Sequence, residues 1–424
     1  MFRTLFSVLI ASQAFAATPL VTAALEDRKQ FPAVDHPYIS YIVADLTTAR
    51  VLSWVLSSTS LQTEVELCQP QIVTEGLWRI DIRTLLWRHT DWREVLNRHP
   101  YGGYSLLVRG DWLVTDILDA KLSASRHTDG IATYYRLLYG KNVPKTESDF
   151  FKFWSVDSDA GRHRGQIEGT SQVNRRGRRW IENRDRVRGY FWLTRDSLAL
   201  DSESDPLERP NGSFRHDGSE IIVGYEKYTS ATHVRGTVQY YFLTNGEGSV
   251  VNEAPVNLVE DSTRFRNVPS IRTWGSCLQC HVPGIQPLGT NALVDLSQKF
   301  STAVFSVNDA GLRRFHFGSL KKQITRNQED YAAGVMMHTG WTAEELIDAV
   351  KTVVRGYDAH LDLEQASEEL GVELESLQAK IRAYGQANPI PAGVSMLAAG
   401  GKCSRDLFEE QFIFLNEMLK HARD

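Results

Sequence analysis

The chain has 424 residues, 42% hydrophobic and 23% charged, with a formal net charge of −5 and four cysteines. That length exceeds what one hydrophobic core usually holds, so two or three domains are expected. The near-balance of charge gives no electrostatic basis for a nucleic-acid partner, and no tract is biased enough in composition to read as disordered.

The first residues, Met1-Phe2-Arg3, lead into an apolar run that ends at Ala14-Phe15-Ala16. One positive charge, a short apolar stretch and small residues at alternate positions form a secretory signal peptide over residues 1–16, cleaved after Ala16. The mature chain is therefore expected to be exported, to the periplasm or the extracellular space. The apolar run is shorter than the roughly 20 residues that span hydrocarbon, and no later segment is long and apolar enough, so no integral membrane segment is expected after cleavage.

Residues 17–160 mix helix and strand and form a first, mixed domain. Gly76 to Arg83 alternates Trp78, Ile80 and Ile82 with Arg79, Asp81 and Arg83, the period of a half-buried strand. Asp91 to His99 reads as a short helix ended by Pro100. Tyr104 to Leu118 resumes extended character around Asp111-Trp112.

Residues 161–300 read as a β-rich domain. Its first part, Arg162 to Arg188, holds nine arginines against three acids. Strands follow at Gly189 to Thr194, Glu220 to Tyr228 and Thr237 to Thr244, rich in Tyr, Phe, Val and Ile. The loop Asp201 to Gly218 separates the first two and contains Asn211-Gly212-Ser213, a glycosylation acceptor in organisms that glycosylate exported proteins.

Residues 301–424 read as helical. Thr342-Ala343-Glu344-Glu345 is a capping box, followed by Leu346, Ile347, Val350, Val353 and Val354 at helical spacing. Leu363 to Leu370 is a helix stopped by Gly371, and Leu374, Leu377, Ile381 and Tyr384 mark another ended by Gly385. Phe408, Phe412, Leu415 and Leu419 form the stripe of a terminal helix. Leu363 to Ile381 has the outline of a helix-turn-helix, but its second helix opens on Glu373 and Glu375 and has little positive charge to meet phosphates. The overall expectation is an α+β fold: a mixed N-terminal domain, an antiparallel β-rich middle and a helical C-terminal region.

The chemically specific segment is Trp274-Gly275-Ser276-Cys277-Leu278-Gln279-Cys280-His281-Val282-Pro283-Gly284. Cysteines three apart lie on one side of a helical turn, where both thiols reach the two vinyl groups of one porphyrin. The adjacent histidine then supplies an imidazole nitrogen to the iron. This predicts one covalent haem c on Cys277 and Cys280, with His281 as iron ligand. The other ring nitrogen of His281 should donate to a backbone carbonyl in the loop that follows. A thioredoxin-like dithiol would need a βαβ setting, which does not precede the motif, and a zinc site would need a second close ligand pair. Cys68 and Cys403 stand alone, either as a disulfide or as buried thiols.

The opposite face of the iron is left open. Met336 and Met337 lie some 55 residues downstream and His338 adjoins them, while His163, His216, His233 and His316 have equal standing. The two methionines also read as core fillers. In the arginine-rich stretch, Arg175 or a neighbour in Asn174-Arg175-Arg176-Gly177-Arg178 is a candidate for haem propionates.

Several stretches together resemble an exported, monohaem c-type cytochrome-like family found in planctomycetes and some proteobacteria. They are Trp78 to Arg83, His99-Pro100-Tyr101-Gly102, Arg109-Gly110-Asp111-Trp112-Leu113, Asn174-Arg175, Gly189-Tyr190-Phe191-Trp192, His216 to Ile222 and Ser276 to Gly284. The chain departs from that family at Gly218-Ser219, where two glycines are usual, and in the strand after Ile222. A weaker likeness of topology links it to β-sheet cytochromes of the cytochrome c′-beta type. The leading expectation is an exported redox protein that passes single electrons through its haem to a redox partner protein. The alternative is an open iron site acting as enzyme or gas sensor on a small-molecule ligand such as peroxide, NO or a hydroxylamine-like compound. No nucleophile triad or second metal cluster supports other catalysis.

Overall fold

The computed structural model of the chain describes residues 19–59, 69–85, 88–97, 106–119, 144–156, 163–167, 178–186, 188–197, 201, 203–204, 215–228, 235–251, 254, 275–286, 317–370 and 372–421. The signal segment 1–16, Cys68, Arg175, Asn211, His233 and His316 lie outside these. The fold is mixed α+β, with two antiparallel-rich sheets and its longest helical run at the C-terminal end. The chain forms two compact units, one of Met1–Leu52, Gln69–Thr115 and Thr352–Asp424, the other of Ser53–Cys68 and Asp116–Lys351. The helical C-terminal region is thus divided between them. Among the described residues no helix is long and apolar enough to cross a membrane.

The first unit is built on a four-stranded sheet of β1 (Ile39–Val43), β2 (Gln71–Thr74), β3 (Leu77–Asp81) and β4 (Leu107–Arg109), in the order β2-β3-β1-β4. β3 runs antiparallel to both β1 and β2, whereas β4 lies parallel to β1. The strand expected from the alternation at Gly76–Arg83 is present, but both its faces are covered. Helix α1 (Pro19–Arg28) lies over one face, where Asp27 accepts hydrogen bonds from Tyr41 (2.9 Å) and Arg79 (2.7 Å). Arg79 is therefore held in a largely buried ion pair instead of facing water.

Two helices begin at the carboxyl ends of the parallel strands: α2 (Leu46–Thr59) after β1, and α4 (Gly110–Asp119) directly after β4. The expectation of extended chain through Asp111-Trp112 is corrected here. Among the described residues only Leu107–Arg109 is strand; Asp111 accepts from the Trp112 amide in the first turn (2.8 Å), and every residue from Trp112 to Leu118 is then buried. Between them α3 (His89–Leu96) packs through Trp92, which donates to Ser40 Oγ (2.6 Å).

The unit's C-terminal helices are the second half of α8 (Ala343–Asp358), α9 (Leu363–Leu370), α10 (Leu374–Ala387), α11 (Ala392–Ala398) and α12 (Arg405–His421). The Thr342/Glu345 capping box is formed reciprocally, at 2.7 and 3.2 Å. α10 runs through Gly385, which was expected to end it. A Cβ there would sit 2.4 Å from Ile390 Cδ1, so the glycine serves close packing. Cys403 is a buried, unbridged thiol that donates to the Ser404 carbonyl at 3.4 Å, and burial pushes its pKa up.

One polar knot ties these helices to β4. Glu369 of α9 pairs with Arg109 and, at 2.7 Å, with Arg405, whose Nε donates to the Tyr357 carbonyl (2.7 Å). Both guanidiniums lie over the Tyr357 ring, at 5.4 and 4.7 Å. Removing one partner of such a pair strands a buried charge. Glu369→Leu is expected to lower unfolding free energy on the order of 3 kcal/mol, read as a fall in the urea midpoint.

The second unit centres on a six-stranded antiparallel sheet of β5 (His163–Ile167), β6 (Arg178–Asp185), β7 (Gly189–Ser197), β8 (Gly218–Tyr228), β9 (Arg235–Asn245) and β10 (Val250–Val251), in the order β10-β9-β8-β7-β6-β5. The three strands read from the sequence are β7, β8 and β9. Phe191, Leu193, Ile221, Val223 and Tyr240 line one face and pack on Phe150 and Trp154 of α5 (Glu147–Phe153) and its C-cap. The registers place Trp192, Ile222 and Tyr241 side by side on the other face, with Tyr190 and Gln239 one step along. That face is covered by α7 (Phe317–Thr339), which lies along β9.

The approach of α7 is close enough to exclude a β-carbon. A Cβ on Gly334 would sit 2.2 Å from Thr237 O, and one on Gly236 would sit 2.3 Å from Gly334 Cα. On the same helix, His338 is 5% exposed and neither ring nitrogen has a hydrogen-bond partner among the described residues. Burial, aided by the nearby Lys227 charge, lowers its pKa to about 3. The unfolded chain then binds a proton below pH ~6.5 that the folded chain refuses, so stability falls as pH drops from ~6.5 towards 3, by about 1.4 kcal/mol per unit. His338→Leu is expected to flatten that slope in denaturant titrations between pH 6.5 and 4. An unchanged slope assigns the acid sensitivity elsewhere.

Candidate functional site

The motif residues sit where the polar end of this second sheet face meets a short helix. β6, β7 and β8 align Arg179 with Asp196, and Thr194 with Glu220, on the face covered by α7. Arg179 makes a two-pronged bond to Asp196, at 2.8 Å each, and its third nitrogen lies 3.7 Å from Glu220. Asp196 thus anchors the guanidinium on the neighbouring strand, and Glu220 receives its residual field.

Helix α6 (Gly275–Cys280) presents Cys277, almost wholly buried, towards the same carboxylate, to which its thiol hydrogen-bonds. Cys280 closes this helix; its side chain is outside the described set. His281 continues the turn, its amide donating to the Cys277 carbonyl at 2.9 Å. The chain then reverses at Gly284, where φ is +91°. This brings the Gly284 carbonyl 2.8 Å from His281 Nδ1, the loop acceptor expected from the motif. The opposite nitrogen, Nε2, points to Glu220 Oε1 at 3.3 Å.

The loop is held from outside by α7. Gln328 donates to the Ile285 carbonyl (2.7 Å), and the Tyr331 ring packs so tightly on Gly284 that a Cβ there would lie 3.1 Å from it. Asn327 on the same helix accepts from Trp192 (2.8 Å), fixing the helix to the sheet. Tyr241 lies 5.6 Å from the His281 ring, and a hydrogen-bonded chain runs from its hydroxyl through Gln239 to Tyr190, 2.6 Å per link. Tyr331 is fully buried, yet its hydroxyl has no hydrogen-bond partner among the described residues.

Electrostatically the site is organised by Glu220, whose side chain is 13% exposed. Burial on its own would raise its pKa, but the adjoining His281, Arg179 and the Cys277 thiol lower it to about 2. Both nitrogens of His281 face oxygen acceptors. A positive charge at Nε2, whether proton or metal, is what the Glu220 carboxylate is placed to meet. The arrangement is not a thiol–imidazole relay, because the carboxylate stands between Cys277 and His281 and holds both. With Nδ1 committed to Gly284, Nε2 is the nitrogen that would be offered to a metal, in place of its contact with Glu220. Cys277 and His281 are of the donor types that would hold a c-type haem, with Glu220 giving up its contact to Nε2.

Among the described side chains, Met336, Met337 and His338 are not drawn to this point. Met336 is 49% exposed, Met337 is half-buried and His338 lies seven residues beyond Tyr331, roughly 10 Å along the helix. His338 neighbours Lys227, which is itself seven residues, roughly 23 Å, along β8 from Glu220. His216 is half-buried in the approach to β8. The proposed propionate partner Arg175 lies outside the described residues, but the same arginine-rich stretch delivers Arg179. Glu220, Arg179 and Tyr331 were not singled out as site residues from the sequence. A charged residue in an apolar strand was the one available signal, at Glu220.

In comparisons with known proteins, no family model, no curated protein and no solved structure matches the chain.

Gly284 carries both the positive φ and the contact with Tyr331. Gly284→Ala is expected to cost about 2 kcal/mol through the left-handed backbone alone, measurable as a lower urea midpoint. A variant as stable as the parent would mean that the loop relaxes without loss.

Proposed function

We propose that the chain is an exported protein carrying one covalent haem c, attached at Cys277 and Cys280 with His281 as an axial iron ligand. It passes single electrons through that haem to a redox partner. The observation that supports the reading is the setting of His281: Nδ1 is held by the Gly284 carbonyl at 2.8 Å, and Nε2, now 3.3 Å from Glu220 Oε1, is the nitrogen an iron would take in place of that contact. Bound there, the haem supplies one-electron chemistry at its iron. The chain's own residues orient and insulate. Gly284 fixes the imidazole, Tyr241 and Tyr331 exclude water, and the Arg179–Asp196 pair steadies the Glu220 carboxylate. Export rests on the signal-type sequence of residues 1–16.

A second reading, an open iron site serving an enzyme or a gas sensor, is favoured by one specific observation. Among the described side chains, Met336, Met337 and His338 all lie away from His281.

The test is optical and chemical. Expressed with its leader in a host able to attach haem, the mature protein should retain one haem after denaturation, with the ferrous absorption of a thioether-linked porphyrin. Cys277→Ala combined with Cys280→Ala should abolish it. A native protein without covalent haem would sink the proposal. A ferrous spectrum unmoved by carbon monoxide supports electron transfer; one that shifts supports the open site.

A further inference from the structure

The first unit contains a cavity of about 1030 Å³ at the carboxyl ends of the parallel strands β1 and β4. In α/β sheets this is where ligands lodge, because the loops leaving parallel strands diverge there. The volume is at the upper end of the range typical of small-molecule sites. Its floor is the knot of Arg109, Asp111, Glu369 and Arg405 described above, and its walls include Leu46, Ile72 and Trp78. Leu46 and Ile72 are 56% and 64% exposed, two of the few large apolar side chains left open to solvent among the described residues.

Charge sets the class of ligand. Five carboxylates line the cavity, Asp45, Glu75, Asp111, Glu368 and Glu369, against two guanidiniums. Both guanidiniums are already engaged: Arg109 by Asp111 and Glu369, Arg405 by Glu369 and the Tyr357 carbonyl. Burial would raise the Asp111 pKa, but Arg109 outweighs it and holds the carboxyl below its usual value. The floor is therefore internally neutralised, and the uncompensated charge is on the rim, at Asp45, Glu75 and Glu368. Among the described residues an anion finds no free cation here, while an apolar body finds exposed Leu46 and Ile72.

We propose that this cavity binds a small organic cation, an amine or guanidinium borne on an apolar body. The apolar part lies against Leu46, Ile72 and Trp78, and the cationic group meets the rim carboxylates. This site is separate from the Cys277–His281 centre and does not depend on the haem reading.

The experiment compares three probes that share one apolar body on the full-length mature protein: 2-phenylethylamine, 2-phenylethanol and 3-phenylpropionate. Binding is followed by calorimetry at low salt. The amine is expected to bind at least tenfold more tightly than the alcohol, with no measurable binding of the carboxylate. The double variant Glu75→Gln/Glu368→Gln changes two exposed rim residues and leaves the fold intact, as a check by circular dichroism would show. It should weaken the amine by about tenfold and leave the alcohol unchanged. Equal affinity for the three probes, or amine binding indifferent to the double variant, overturns the proposal. So does failure of all three to bind.

Discussion

Everything at the motif end of the second unit depends on how closely α7 lies against β9. Glycines at 236 and 334 let the two backbones meet where any β-carbon would collide. From that contact follow the Trp192–Asn327 bond, the Gln328 grip on Ile285 and the packing of Tyr331 on Gly284. The Gly284 carbonyl reaches His281 through the local reversal at φ +91°, and the helix packs on that turn from outside.

The site is also an example of polar groups retained in a buried setting because each has a partner. Asp196, Arg179, Glu220 and His281 form a series in which neighbouring groups carry or accept opposite charge. Removing a middle member would leave two groups stranded at once, so the series is a strong constraint on what can stand at the end of β8.

How much of this was legible in the sequence depended on whether the information was local. β7, β8 and β9 were readable because aromatic and β-branched runs announce strands, and the Thr342/Glu345 cap because its logic spans one turn. Cys277, Cys280 and His281 stood out because their chemistry is written in five consecutive residues. α7 lies in the stretch read as helical but was not delimited there, because its buried side carries Asn327, Gly334 and His338 among Leu320, Ile324 and Tyr331, which blurs the apolar stripe. Asp111-Trp112 was misread as extended chain because an aromatic after a short strand looks like more strand; the helix there starts from the Asp111 side-chain bond to the Trp112 amide. Glu220 and Arg179 could not be joined at all without strand register, since forty residues separate them and a one-residue slip would turn them to opposite faces.

The glycine contact also determines which alignments of helix and sheet are possible. Successive residues of a helix turn by about 100°, so sliding α7 by one turn would bring Asp330 or Tyr331, or in the other direction Met337 or His338, against the Thr237 carbonyl. None of these has room there. The helix therefore has one seat along the strand rather than several of similar energy, and it behaves as a keyed part. Once it is seated, the position of Tyr331 over the His281 loop is not adjustable, and the geometry of the imidazole is set by the same step that closes the core.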